Sequence, residues 1–392
     1  MSVFDVLVGQ ERAVEQLEAA ASAARRVVAG ETTGTAAMTH AWLFTGPPGS
    51  GRSVAARALA AALQCDDGGC DHCDACAQGE AGSHVDVSVV VPEGLSIGVE
   101  EARAIVAHGA RSPARGRWLV TVIEDADRLT DEASNALLKA IEEPPPRGVL
   151  LLCAPSVEDV LPTIRSRCRL VSLRTPPADA VTRLLVGRGV DEAMASFAAR
   201  AAQGHIGRAQ RLATDEEARR ERRDVLALPR SLQGVASALT AARDLVDAAS
   251  AESEARTTSR NAAEKSSLAT ALGAGATGKG LTGGPPRGSA SAMKDLERRQ
   301  KSRGTRTQRD ALDRALVDLA AFYRDVLTLQ LGAATDAVHP DLAEQAATIA
   351  RATTAESTLR RIDAVLACRS AVDANVAPLL AVEAMALALR TG

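Results

Sequence analysis

The sequence predicts an α/β fold, a parallel sheet with helices on its faces, followed by helical domains. Five short, apolar, β-rich stretches carry the first part of that expectation: AWLFT, VDVSVVV, RWLVTVIE, GVLLLCA and RLVSL, all between residue 1 and about 175. Helix-patterned stretches lie between most of them, and such alternation places helices over both faces of a parallel sheet. Beyond residue 175 the strands stop, and Ala, Leu and Arg dominate with apolar residues at helical spacing.

At 392 residues, 46% of them hydrophobic, the chain has material for two to three domains with ample cores. The 46 Lys and Arg against 49 Asp and Glu leave a net charge of −3, so no global field would hold nucleic acid or anionic lipid. Two Trp, one Tyr and four Phe are too few for rows of base-stacking platforms, which argues against a single-strand coat protein. No apolar run approaches the roughly 18 residues of a membrane span, and MSVFDVLVGQER has no signal-peptide core. A cytoplasmic chain without a membrane partner is expected.

The order of segments follows from local pattern. Residues 1–175 form the α/β domain. Residues 176–250, with AVTRLLVGRGV and EARRERRDVLAL, predict a small helical domain. Residues 251–308 are rich in Ala, Ser, Gly, Thr and Arg around GAGATGKGLTGGPPRGSASA and predict a flexible linker. Its end, Lys294 to Arg309, is cationic, which fits a solvated tail or a nonspecific phosphate contact. Residues 309–392, from ALDRALVDLAAFYRDVLTL to NVAPLLAVEAMALAL, predict a third, all-helical domain.

After AWLFT comes GPPGSGRS and then the helical run VAARALAAAL, so Gly46, Gly49 and Gly51 stand where a phosphate-binding loop presents backbone amides. That loop requires Lys ahead of its last Ser or Thr; here Arg52 precedes Ser53. Lys is a compact ammonium that reaches into the loop, whereas Arg is a broad planar fork. The matching metal-side strand ends in Glu124 and Asp125, the reverse of Asp for magnesium followed by Glu for the attacking water. Both departures point to a site that hydrolyses no nucleotide and binds ATP and magnesium weakly or not at all. A working ATPase remains the alternative.

Four of the seven cysteines, Cys65, Cys70, Cys73 and Cys76, fall within CDDGGCDHCDAC. Four thiolates with two CxxC steps match the closed tetrahedral coordination of structural zinc. His72 as a substitute ligand and redox cycling of a CxxC pair are the alternatives. Cys153, Cys168 and Cys368 stand alone and read as packed thiols. A zinc-dependent DNA-binding module is disfavoured by Asp66, Asp67, Asp71 and Asp74, whose carboxylates would repel phosphates.

Leu7-Val8-Gly9-Gln10, HAWLFTGPPGSGRS, the four cysteines, DRLTDEASNALLKAIEEPPP and TIRSRC together resemble the clamp-loader subunits of bacterial DNA polymerase III, within the AAA+ superfamily. The resemblance covers most of residues 1–250 and the closing helix with Asn375. It implies an AAA+ domain with a zinc module, a helical lid domain over 176–250 and a helical oligomerisation collar over 309–392. Arg52, the Glu124-Asp125 order, Ala154 and Pro155 at one sensor position, and Gly207 beside Arg208 at another resemble a subunit without its own catalysis. Ser166-Arg167-Cys168 then implies an arginine finger, Arg167, offered to the nucleotide of a neighbour; a surface turn is the plain alternative. The implied partners are gamma/tau and delta subunits in a heteropentamer, with the sliding clamp and primed DNA reached through the complex.

Overall fold

The computed structural model describes residues 2–32, 37–115, 117–272 and 289–392. They fall into two compact units, Met1–Thr214 and Asp215–Gly392. Among the described residues no helix is long and apolar enough to cross a membrane.

In the first unit the chain runs α1 (Glu11–Val28), β1 (Ala41–Thr45), α2 (Arg52–Gln64), α3 (Asp74–Ala81), β2 (Val87–Val90), α4 (Val99–Gly109), β3 (Leu119–Ile123), α5 (Asp131–Glu142), β4 (Gly148–Ala154), α6 (Pro162–Arg165) and β5 (Arg169–Ser172). α7 (Ala178–Gly187), α8 (Glu192–Ala201) and α9 (Ile206–Thr214) complete it. Each strand lies within a stretch expected to be one, and all pair in parallel in the order β2-β3-β4-β1-β5.

The apolar runs follow from burial on both sides of the sheet. β1 sends Trp42 and Phe44 into a core with Leu17, Leu59 and Leu63, and sends Ala41 and Leu43 into the opposite core with Ile105, Leu137 and Ile141. β4 alternates likewise, Leu151 and Cys153 to the first core and Leu152 and Ala154 to the second. A strand covered on both faces shows no polar alternation. Because every strand is parallel, the segments following β1, β3 and β4 leave from one edge of the sheet, where ligands of open α/β folds gather.

The second unit is helical: α10 (Glu216–Ser231), α11 (Val235–Ala271), α12 (Ser289–Gln330), α13 (Ala343–Ala352), α14 (Ala355–Asp373) and α15 (Pro378–Thr391). Its core gathers Leu226, Leu312, Leu316, Leu319, Val326, Val365 and Val382 around Phe322 and Tyr323, whose rings meet edge to face at 5.6 Å.

Two expectations about segments are corrected. The helical stretch 176–250 is not one body, because its last part belongs to the second unit. There Gln345 Nε2 donates to the Leu226 carbonyl at 3.0 Å, and Arg222 donates to Asp341 Oδ2 at 3.1 Å. The stretch 251–308 is not a flexible linker where it is described, since α11 continues to Ala271 and α12 begins at Ser289; GAGATGKGLTGGPPRG at its centre lies outside the described residues. Scarcity of large apolar residues misled, because these helices meet along a polar seam. Ser253 Oγ donates to the Gly304 carbonyl at 2.8 Å, and Arg303 Nη1 reaches Asn261 Oδ1 and Glu264 Oε2, both at 3.0 Å. Several cations of Lys294–Arg309 are thereby engaged within the unit, including Arg298 with Asp295 and Arg309 with Asn375.

Candidate functional site

The loop after β1 has the backbone its glycines allow. Gly46, Gly49 and Gly51 have φ of +154°, +86° and +92°, and Gly51 caps α2 in the left-handed region. At Gly49 a side chain would be blocked twice, by φ and by His205, whose Cβ lies 2.5 Å from where a Cβ would stand. Gly46 N–H donates to the Pro155 carbonyl at 3.1 Å, which ties the loop to the end of β4. Gln10 braces the next segment: its Nε2 donates to the Arg174 carbonyl at 2.6 Å and its Oε1 accepts from Arg174 N–H at 3.0 Å.

Arg52 opens α2, followed by Ser53 in the first turn. Glu124 and Asp125 leave β3 at the same edge, Asp125 in the left-handed region with φ +53°. Glu124 is held by a cation. Arg57 on α2 donates to its Oε1 from Nε at 3.0 Å and from Nη2 at 2.9 Å, with the two side chains 30% and 16% exposed. Arg57 Nη1 also reaches the Glu80 carbonyl of α3 at 3.4 Å, so one guanidinium links the acidic strand end to the cysteine module. Asp127, two residues beyond Asp125, has its carboxyl pushed up, chiefly by burial and then by the Asp125 charge.

The cysteine module is compact. The Sγ atoms of Cys65, Cys70, Cys73 and Cys76 all lie within 4.8 Å of one another, with Cys65 to Cys70 at 3.6 Å and Cys73 to Cys65 at 3.7 Å. Thiolates placed tetrahedrally about 2.3 Å from a zinc ion stand about 3.8 Å apart, whereas a disulfide requires about 2.05 Å. All four thiols are free, so the set fits a metal ion such as zinc. Burial would raise the Cys65 thiol, but N–H groups of Cys70, Gly69 and Asp67 outweigh it and bring it down to about 6. His72 Nδ1 meets the Cys70 carbonyl at 2.8 Å and stands outside the ligand set. The module rests on α2 because Gly79 has no side chain: a Cβ there would meet Ala61 Cα at 2.6 Å.

Arg167 follows α6, 41% exposed, with Nη2 2.7 Å from Glu142 Oε1. Cys153 and Cys168 have thiols pushed up by burial, Cys168 to about 12, which keeps them unreactive. Gly207 lies in α9, and Arg208 N–H donates to His205 Nδ1 at 3.2 Å. Sequence reasoning missed Arg57 and His205. Arg57 is the one charge in the helical run VAARALAAAL, a signal that could have marked it; nothing local marks His205 as the residue against Gly49.

The parallel sheet, the glycine loop after β1 and the acidic end of β3 define an α/β domain with the arrangement of a phosphate-binding loop. Residues 28–177 match the family model described as DNA polymerase III, delta subunit. A delta' subunit of DNA polymerase III from Bacillus subtilis is 30% identical over 194 residues, 49% of this chain and 59% of that protein. The Escherichia coli delta' subunit is 38% identical over 152 residues, 37% of this chain and 46% of that one. A gamma/tau subunit from Mycobacterium bovis is 32% identical over 212 residues, 51% of this chain and 35% of its own length. Through this domain the chain is similar to the delta' and gamma/tau clamp-loader subunits of DNA polymerase III. It spans between about a third and three-fifths of the length of these relatives.

Proposed function

We propose that the chain is a noncatalytic clamp-loader subunit of the delta' type, which offers Arg167 to the ATP site of a gamma/tau neighbour while a sliding clamp is loaded on primed DNA. The observation that carries this reading is the pairing of Glu124 with Arg57. A divalent ion approaching Glu124 would meet a guanidinium that already supplies positive charge, at a site sheltered enough for the repulsion to be felt. Arg52 in place of Lys and the apolar Ala154 and Pro155 at the end of β4 support the same reading. Gly46, Gly49, Gly51, Arg52, Ser53, Glu124 and Asp125 then form a degenerate nucleotide site in which ATP and magnesium bind weakly or not at all.

Zinc is the metal this reading assigns to Cys65, Cys70, Cys73 and Cys76. With four thiolates no position is left for water, so it would hold the loop and do no chemistry. α7–α9 would act as the lid and the second unit as the collar, in a cytoplasmic heteropentamer with gamma/tau and delta subunits. A guanidinium supplied in trans stabilises charge on the transferred phosphoryl group.

The test is ATP turnover of the reconstituted loader with clamp and primed DNA, with variants in this subunit alone. Arg167→Ala is expected to lower turnover and Arg52→Ala to leave it unchanged; the reverse pattern would identify a catalytic gamma/tau-like subunit. That second reading is favoured by one observation, the length of the gamma/tau match. It requires the pure chain to hydrolyse ATP and to lose that activity with Arg52→Ala.

A further inference from the structure

We infer that Glu142 is the positioning residue for Arg167, fixing the direction in which its guanidinium is presented to a nucleotide phosphate on a neighbouring subunit. This rests on the in-trans role proposed above for Arg167. Glu142 is the last residue of α5, where Glu143-Pro144-Pro145 ends the helix because proline restricts the residue before it and lacks an N–H. Its carboxylate thereby meets the turn that follows α6. Arg167 Nη2 lies 2.7 Å from Glu142 Oε1, while Nη1 donates to the Thr163 carbonyl at 2.9 Å and to Ser166 Oγ at 3.2 Å.

The guanidinium is therefore gripped from two directions, by the carboxylate at one nitrogen and by its own turn at the other. The ion pair is nevertheless open, with side chains 41% and 48% exposed, and pairs that open contribute little to stability. Its effect lies in order: arginine has many rotamers, and one already pinned loses less freedom on meeting an anion. The five-donor fork keeps N–H groups for phosphate oxygens while two nitrogens are anchored. NALLKAIEEPP and SRC, separate in the sequence, thus form one device, a finger and its rest.

The experiment uses the full chain in the assembled loader with clamp, primed DNA and ATP. Wild type, Glu142→Gln, Arg167→Ala and the double variant are compared for kcat and KM, with thermal midpoints measured alongside. Glu142→Gln is expected to lower kcat roughly three- to tenfold with KM for ATP little changed, the signature of a misdirected group. In the Arg167→Ala background the same substitution is expected to cost nothing further, because Glu142 acts through Arg167. If Arg167→Ala slows turnover while Glu142→Gln does not, or if Glu142→Gln costs as much in both backgrounds, the positioning role is overturned and the in-trans role stands. If Arg167→Ala leaves turnover unchanged, the in-trans role itself fails, and the positioning role with it.

Discussion

Arg57 closes on Glu124 with two nitrogens on a single carboxylate oxygen, at 3.0 and 2.9 Å, across 67 positions of sequence. α2 lies against the sheet, so a cation just past the first turn of the helix that leaves the glycine loop comes to the end of β3. The charge that a magnesium ion would bring to Glu124 is already supplied by the protein.

Removing that cation should therefore destabilise the first unit. Arg57→Gln leaves Glu124 16% exposed without its partner, and the loss expected in urea unfolding is about 1–3 kcal/mol. Adding Glu124→Gln should recover part of it, since the uncompensated charge is gone. An unfolding midpoint indifferent to Arg57→Gln would mean the pair is not formed in solution.

Metal analysis should find one zinc per chain, bound by Cys65, Cys70, Cys73 and Cys76. Cys73→Ser removes one thiolate of four, so metal content and the thermal midpoint of the first unit should fall together. A chelator should reproduce the effect in wild type. Full metal occupancy in Cys73→Ser would exclude the four-thiolate centre.

The paired helices α11 and α12 should resist proteases across 251–271 and 289–308, where a flexible linker would be cut. Arg303→Ala withdraws the partner of Asn261 and Glu264 from a position only 8% exposed, so amide exchange should quicken there and remain unchanged in the sheet. Rapid cutting of wild type in either segment would contradict the pairing.

Acid should weaken the second unit through His339, which is 1% exposed. Arg222 Nη2 lies 2.6 Å from Nδ1, and because arginine only donates, Nδ1 must accept; Nε2–H then donates to the Asp318 carbonyl at 3.2 Å. Burial first, and then the Arg222 charge, hold the imidazole below its usual range against the opposing Asp318 and Asp325 carboxylates. Asp341, the other partner of Arg222, completes the charged set. The unfolded chain takes up this proton at about pH 6.5 and the folded chain only lower, so stability is lost as pH falls below about 6.5. Thermal midpoints between pH 7.5 and 5 should fall more steeply for wild type than for His339→Gln; parallel profiles would remove His339 as the cause.

Much of the site was legible because its signals are local. The strands showed as apolar runs, the loop as glycines at positions that need positive φ, and the cysteine module as spacing. Arg167 was marked by its tripeptide, but Glu142 as its partner was not, since neither residue's neighbours name the other. Arg57 looked like an incidental charge on an alanine-rich helix.

The sequence by itself determined the parallel α/β domain, its glycine loop with Arg52 where Lys would stand, and the four thiols, because backbone conformation, burial period and ligand spacing act over a few residues. Tertiary structure alone decided that Glu124 is held by Arg57, that His205 covers Gly49, and that 251–271 and 289–308 are helices zipped by polar side chains. Those outcomes depend on strand order and on which helix faces meet, and a hydrogen bond or ion pair between distant segments leaves no periodic trace in either one.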